Sequence, residues 1–257
     1  MLITIALVSH NSKDDLKLLL PSLVIALKNI SSQILLVDNC STDSTVDYVK
    51  NHFPHIHIYK NLKRHGYGAN QNKNIRMASG KYIVLMNPDM IVPPDAFHKL
   101  IRFMEDHKQT GIVTCNICNT DGTCQYLNKR EPAIFDLLAR RFLPVFLQRI
   151  CKKRLDYYEM RDVGYNRVVK VPFISGSFMF AKTATIKAVN GFDKRFFMYF
   201  EDVDLCRRVR QKNDTLYYPD VKIIHRWERA AHKSLKWTFI FSISGLKYYL
   251  KWGFKFF

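Results

Sequence analysis

The stretch Ile34-Leu35-Leu36-Val37-Asp38-Asn39-Cys40-Ser41-Thr42-Asp43 is a short apolar run that stops on a carboxylate and passes into small polar residues. Four apolar side chains in succession suit a strand buried on both faces, and Ser, Thr and Asp directly behind them are helix-starting residues. A central strand is therefore expected here, followed by a helix to about His52 with Thr42 or Asp43 as its cap. Ile3–Val8, Ile56–Tyr59 and Tyr82–Met86 have the same character. Between these runs, Ser12 and Asp15 have the spacing of a capping box for a first helix that Pro21 should kink or shorten, and Pro93-Pro94-Asp95 opens another helix to about His107. This alternation predicts an α/β fold with a doubly wound, mostly parallel sheet, whose ligands bind beyond the carboxyl ends of the strands.

Those ends collect polar groups: His10-Asn11, Asp38-Asn39, Asn61 and Asn87-Pro88-Asp89. Asn61 to Asn74 reads NLKRHGYGANQNKN, where two glycines permit close backbone approach and a helix beginning near Gly68 would aim N–H groups at a ligand. Asp89 stands where a divalent cation could join a carboxylate to a diphosphate. Taken singly, each feature is equally well explained as a turn or a cap. Further on, Val171–Ala181 reads as a strand through Gly176, Val203–Gln211 as a helix and Thr215–His225 as a strand ending on a histidine. Glu201, Asp202 and Asp204 precede an apolar and basic run; complementing a helix amino terminus and pairing with Arg207, Arg208 or Arg210 accounts for Glu201 and Asp204. Asp193 reads as a turn residue.

The net charge of the 257-residue chain is +18, of which Lys129–Lys170 carries +6 and Lys222–Phe257 carries +7. Such a surface implies an acidic partner: nucleic acid, a phosphorylated ligand or anionic lipid. The six cysteines are scattered, unlike a disulfide framework, and Cys115 and Cys118 form a single CxxC whose thiols would leave a strand on opposite faces. They read as structural thiols. The amino terminus has no basic leader and turns polar after eight residues, so a cytosolic location is expected.

The order of the motifs, V-S-H-N, then D-N-x-S-T-D, then N-x-x-x-x-G-Y-G-x-N-x-N, then N-P-D-M, resembles the family 2 glycosyltransferases, which have the GT-A fold. Ser175–Met179, Asn190–Asp193 and Met198–Cys206 are similar to their rhamnosyltransferase branch. The resemblance implies an inverting transferase, most readily of rhamnose from dTDP-rhamnose, with UDP-hexose, UDP-N-acetylhexosamine and UDP-galactofuranose as alternative donors. It assigns Asp38 to the nucleotide base, with Asn11, Asn39, Asp43, Gly68 and Asn87 around the nucleotide sugar. Asp89 goes to a metal-held diphosphate with Mg²⁺ or Mn²⁺, His225 to the same metal or diphosphate, and Asp202 to the catalytic base. Asn87 departs from the usual Asp-x-Asp, which leaves one carboxylate fewer for a cation. The implied organisation is one domain over 1–225, with a nucleotide-sugar half at 1–115 and an acceptor and catalytic half at 116–225.

Residues 226–257 are expected to form a basic amphipathic tail. Lys236, Lys247, Lys251 and Lys255 share roughly 100° of a helix, leaving aromatic and aliphatic side chains over the rest. An interfacial helix has that pattern, so the tail is predicted to hold the protein at the inner face of an anionic plasma membrane, with Phe135–Arg154 as a second contact. The acceptor implied by the resemblance is a saccharide on a membrane lipid. Covering the core or a dimer partner is the alternative for the tail. A nucleic-acid binder is the alternative for the charge, although no zinc-finger or RNP pattern accompanies it and nucleic acid is not expected as a partner. Trp227 could line the acceptor site or pack.

Overall fold

The computed structural model describes residues 1–226 and 235–257; Trp227 and Lys233 lie outside the described residues. Strands β1 (Ile3–Ser9), β2 (Ser32–Asp38), β3 (His57–Lys60) and β4 (Tyr82–Met86) are parallel and are joined by α1 (Lys13–Ala26), α2 (Thr45–His52) and α3 (Tyr67–Met77). Then follow β5 (Met90–Ile91), α4 (Ala96–Asp106), β6 (Thr110–Cys118), α5 (Ile134–Phe142), α6 (Val145–Ile150), α7 (Lys152–Tyr158), β7 (Val169–Lys170) and β8 (Phe178–Lys182). The chain continues through α8 (Thr183–Ala188), α9 (Glu201–Val209), β9 (Asp214–His225) and α10 (Leu235–Trp252).

The sheet order is β3-β2-β1-β4-β8-β6-β9-β5, with β7 also on β9. β8 runs antiparallel between β4 and β6, and β9 returns parallel to β6, so the sheet is mixed. The order reverses beside β1, which opens the crevice where the polar strand ends meet. The apolar runs are buried on both faces. Leu16, Leu19, Phe97 and Leu100 of α1 and α4 pack on one side, and Ile75, Ile186, Leu205 and Val209 of α3, α8 and α9 on the other.

Local departures from the expected elements have identifiable causes. Ser12 makes no capping bond; Asp43 Oδ2 accepts from the Lys13 N–H at 3.0 Å, so the start of α1 is satisfied from across the crevice. Pro21 lies inside α1, which runs on to Ala26. α2 starts at Thr45 behind Ser44, which has a left-handed backbone. In place of one strand over Val171–Ala181, regular pairing with β4 begins only at Phe178, because Lys129 and Phe173 exchange backbone hydrogen bonds and the chain then bends through Ser175–Ser177. Cys115 and Cys118 are free thiols on β6, and burial pushes both above their ordinary range.

The carboxy-terminal helix is docked, with part of its lysine edge turned inward. Lys251 Nζ lies 2.6 Å from Asp204 Oδ1 and 2.9 Å from Asp193 Oδ2, and Lys247 Nζ donates to the Arg195 carbonyl at 2.8 Å. The reason is electrostatic: Asp204 is fully buried, and a buried carboxylate needs counter-charge. Arg208, Lys251 and the Trp252 indole N–H all meet it.

Glycine is required where α3 meets the loop before α9. A Cβ at Gly66 would stand 2.2 Å from the Phe197 carbonyl oxygen, and one at Gly68 would stand 2.7 Å from Phe192 Cβ. Gly66→Ala is expected to destabilise by about 1–3 kcal/mol through overpacking against backbone. Thermal melting checks this; a midpoint within about 1 °C of the parent would mean that the loop yields freely.

Candidate active site

Asp89 and His225 are brought together by the register of β5 on β9, which pairs Met90 with His225, and by the Arg226 N–H bond to the Asp89 carbonyl at 2.9 Å. Gln125 Nε2 donates to Asn119 Oδ1 and to the His225 carbonyl, both at 2.8 Å, so its oxygen faces His225 Nδ1 at 2.8 Å. That orientation places the proton on Nδ1 and turns Nε2 toward Asp89 Oδ2, 3.2 Å away. The imidazole nitrogen and the carboxylate oxygen stand close enough to hold one cation between them. Asp89 Oδ1 is buried with no hydrogen-bond partner among the described residues. One carboxylate and one oriented imidazole fit a divalent cation that completes its shell with diphosphate and water. Among the described residues no group of three acidic, His or Cys side chains forms a ready-made metal cage.

The other side of the crevice is closed largely by bonds within the protein. Asp38 ends β2, is 2% exposed, and accepts from the Ser9 hydroxyl at 3.4 Å and the Ser41 N–H at 3.2 Å. Asn39 folds the loop after β3 inward: its amide donates to the His65 carbonyl and accepts from His65 N–H and Asn61 Nδ2. Asn11, with φ +54°, accepts from the Thr42 N–H at 2.7 Å, and Asp43 accepts from the backbone of Lys13 and Thr45. Asn87 follows β4, half-buried, its N–H bonded to the Ser177 carbonyl at 3.0 Å. Gly68 faces Phe192, so the close approach it permits is to protein. The amides of the N-rich motif staple α3 in place: Gln71 and Asn74 donate to carbonyls of β1, and Asn72 clasps Phe192.

Asp202 stands in the first turn of α9, half-buried, with Oδ2 accepting from the Gly176 N–H at 3.0 Å and Oδ1 from the Val203 N–H at 2.9 Å. Burial raises its pKa, while the two N–H bonds favour the carboxylate. Glu201 is buried, and its Oε2 has no partner among the described residues; burial and the adjacent Asp202 hold it well above the ordinary glutamate range. Of the pair, Glu201 is shifted further toward the neutral form, and the two N–H bonds favour charge on Asp202. An arginine pairing for Glu201 is absent among the described residues, whereas Asp204 does pair with Arg208.

Besides Gln125, four residues escaped sequence reasoning. Tyr67, between the two glycines, donates to the Gly176 carbonyl at 2.7 Å and joins the first half of the chain to the segment holding Asp202. Tyr199 and Phe200 both have left-handed backbones, φ +68° and +66°, immediately before α9. Lys129 lies with its amine 5.3 Å from the centre of the Phe173 ring; desolvation pushes it down to about 7, and its charge and that of Asp202 act on each other. The G-Y-G pattern carried a signal for Tyr67; nothing local marked Lys129.

A family model described as Glycosyl transferase family 2 matches residues 4–175. The chain belongs to glycosyl transferase family 2. It is a glycosyltransferase. Over 240 residues it is 27% identical to the rhamnosyltransferase WbbL of Escherichia coli K12, covering 87% of this chain and 83% of that one. It is 26% identical over 236 residues to the N-acetylglucosaminyl-diphospho-decaprenol L-rhamnosyltransferase of Mycobacterium tuberculosis, covering 85% and 74%. Among solved structures, the mannosyltransferase PcManGT of Pyrobaculum calidifontis, in complex with GDP-Man and Mn²⁺, superimposes with a TM-score of 0.62 at 16% identity, covering 97% of this chain and 70% of that one. That likeness carries the fold, which is the expected GT-A arrangement.

The Lys129 amine of this glycosyltransferase gives the site a measurable pH signature. Between about pH 7 and its ordinary 10.5 the unfolded chain binds a proton there that the folded protein does not, so stability rises with pH across that window. The contribution is at most about 1.4 kcal/mol per pH unit and less in practice, because the side chain keeps some solvent contact. Lys129→Met is expected to be more stable than the parent at pH 7 and to lose that advantage by pH 10. Urea unfolding at the two pH values checks this, and a constant difference between the proteins would place the amine in water.

Proposed function

We propose that the protein transfers rhamnose from dTDP-rhamnose to a hydroxyl of a lipid-linked saccharide at the inner face of the plasma membrane, with inversion, in the assembly of a surface polysaccharide. The observation that carries the chemistry is Asp202: a half-buried carboxylate oriented by two backbone N–H groups beside a buried Glu201. The donor and acceptor classes rest on the two rhamnosyltransferase relatives, one of them named for a diphospho-decaprenol substrate.

In this reading the acceptor hydroxyl oxygen attacks the anomeric carbon while its proton passes to Asp202. The bond from that carbon to the nucleotide diphosphate breaks, and the electron pair leaves with the diphosphate. A carboxylate whose pKa is raised by burial suits the task, because it has more affinity for the incoming proton than an exposed one. Asp89 and His225 would hold a divalent cation, Mg²⁺ or Mn²⁺, which neutralises charge on the departing diphosphate when bound. Support for a cation comes from the Mn²⁺ complex of the mannosyltransferase and from the buried Asp89 Oδ1, which has no partner among the described residues. Asp38, Asn39, Asn11, Asp43, Gly68 and Asn87 shape the nucleotide-sugar side of the crevice, mostly by fixing its loops.

Asp202→Asn separates the roles. The amide cannot take a proton, so turnover should fall about 10²–10⁴-fold. One of the two backbone N–H groups loses its acceptor, costing about 1–3 kcal/mol of stability. Donor binding should persist, read as the rise in melting temperature with dTDP-rhamnose against UDP- and GDP-sugars for parent and variant. A folded variant with near-parental turnover would remove Asp202 as the base; loss of donor binding would move it to the diphosphate site; stabilisation by a UDP-sugar alone would replace the proposed donor.

A further inference from the structure

α10 carries two faces of opposite chemistry. Ser244, Gly245, Tyr248 and Tyr249 are buried against the loop before α9, which satisfies its packing. At about 100° per residue, Leu235, Phe239, Ile243, Leu246 and Leu250 fall on one stripe roughly 80° wide on the other side. Their exposures run from 37% at Ile243 to 88% at Leu235. Lys236 and Lys247 border this stripe and are exposed. From Leu235 to Phe257 there are four lysines and no acidic residue.

The geometry points to this outward face of α10 as the surface on which the protein docks to an anionic lipid bilayer. The apolar stripe would enter the headgroup–acyl boundary while Lys236 at its border meets lipid phosphates. Charge decides between occupants: a second copy of the same face would bring lysines against lysines with no carboxylate to meet them, on a chain of net charge +18. Among the described residues no helix is long and apolar enough to cross a membrane, so the contact is interfacial. The division expected from the sequence between lysines and apolar side chains is thereby refined, since Lys251 is spent on Asp193 and Asp204 and the outward stripe is aliphatic apart from Phe239.

The inward face gives docking a purpose, which rests on the lipid-linked acceptor proposed above. Ser244 Oγ donates to the Met198 carbonyl at 2.8 Å, and Lys247 and Lys251 hold Arg195 and Asp193. The helix that meets the bilayer thus also fixes the loop leading into Asp202, which keeps the base at the membrane where a lipid-linked hydroxyl arrives.

The test uses the full chain and the double variant Phe239→Glu/Leu246→Glu, whose altered side chains are exposed, with sedimentation on vesicles of phosphatidylglycerol and phosphatidylcholine or of phosphatidylcholine alone. The parent should bind the anionic vesicles, more weakly with added salt. The variant should bind at least about tenfold less, from the transfer free energy of one large apolar side chain, with an unchanged melting temperature. Equal binding by parent and variant, no binding by the parent, or a parent dimer that the variant converts to monomer without any vesicle binding would each overturn the assignment. The donor-induced rise in melting temperature, read on the same samples, reports separately on the transferase reading, so either can fail alone.

Discussion

The hydrogen bond from the Gly176 N–H to Asp202 Oδ2 ties two distant parts of the chain at the point where chemistry is expected, and much of the second half exists to hold it. On one side, Tyr67 grips the Gly176 carbonyl, and the Lys129–Phe173 exchange bends the chain out of the sheet before β8. On the other, Asp202 is delivered by Tyr199 and Phe200, two bulky residues in a left-handed conformation that costs about 1–2 kcal/mol each. Phe200 packs on Tyr248 and Tyr249 of α10, so the tail helix offsets the strain of the turn that leads into Asp202. A residue in such a conformation persists only where its surroundings over-determine it.

The first half of the fold was legible because its signals are local. Buried parallel strands are continuous apolar runs, and β1, β2 and β4 fall where the hydrophobic pattern put them, with β3 displaced by one residue. The second half obeys long-range pairing that no window of sequence contains. β8 is antiparallel between two strands met far earlier in the chain, and β5 is two residues long, recognisable only by its register on β9. Helix ends were misread for the same reason: Asp43, taken as a cap for its own helix, also supplies the acceptor for α1 thirty residues away.

At the site, the sequence located residue types more reliably than their tasks. Asp89 and His225 were assigned to one metal or diphosphate by resemblance alone, and the sheet register places them side by side, with Gln125 as the unforeseen third member that orients the ring. Glu201 was read as complementing a helix amino terminus and pairing with an arginine, whereas it is buried, and burial with the adjacent Asp202 raises its pKa. Lys129 had no motif around it; its importance is a matter of desolvation and proximity to Asp202, which only the folded chain creates. The glycines of the G-Y-G segment were read as room for a ligand and are room for Phe192 and Phe197.

In the mechanism proposed above, Asp202 serves as the base of a one-step displacement. A second charged carboxylate poised as a nucleophile would instead permit two displacements. The configuration of the product separates these directly. With the donor identified by binding, NMR of the newly formed glycosidic linkage should show the anomeric configuration opposite to that of the donor; a product of retained configuration would contradict the assignment of Asp202 as the base of a single inverting step.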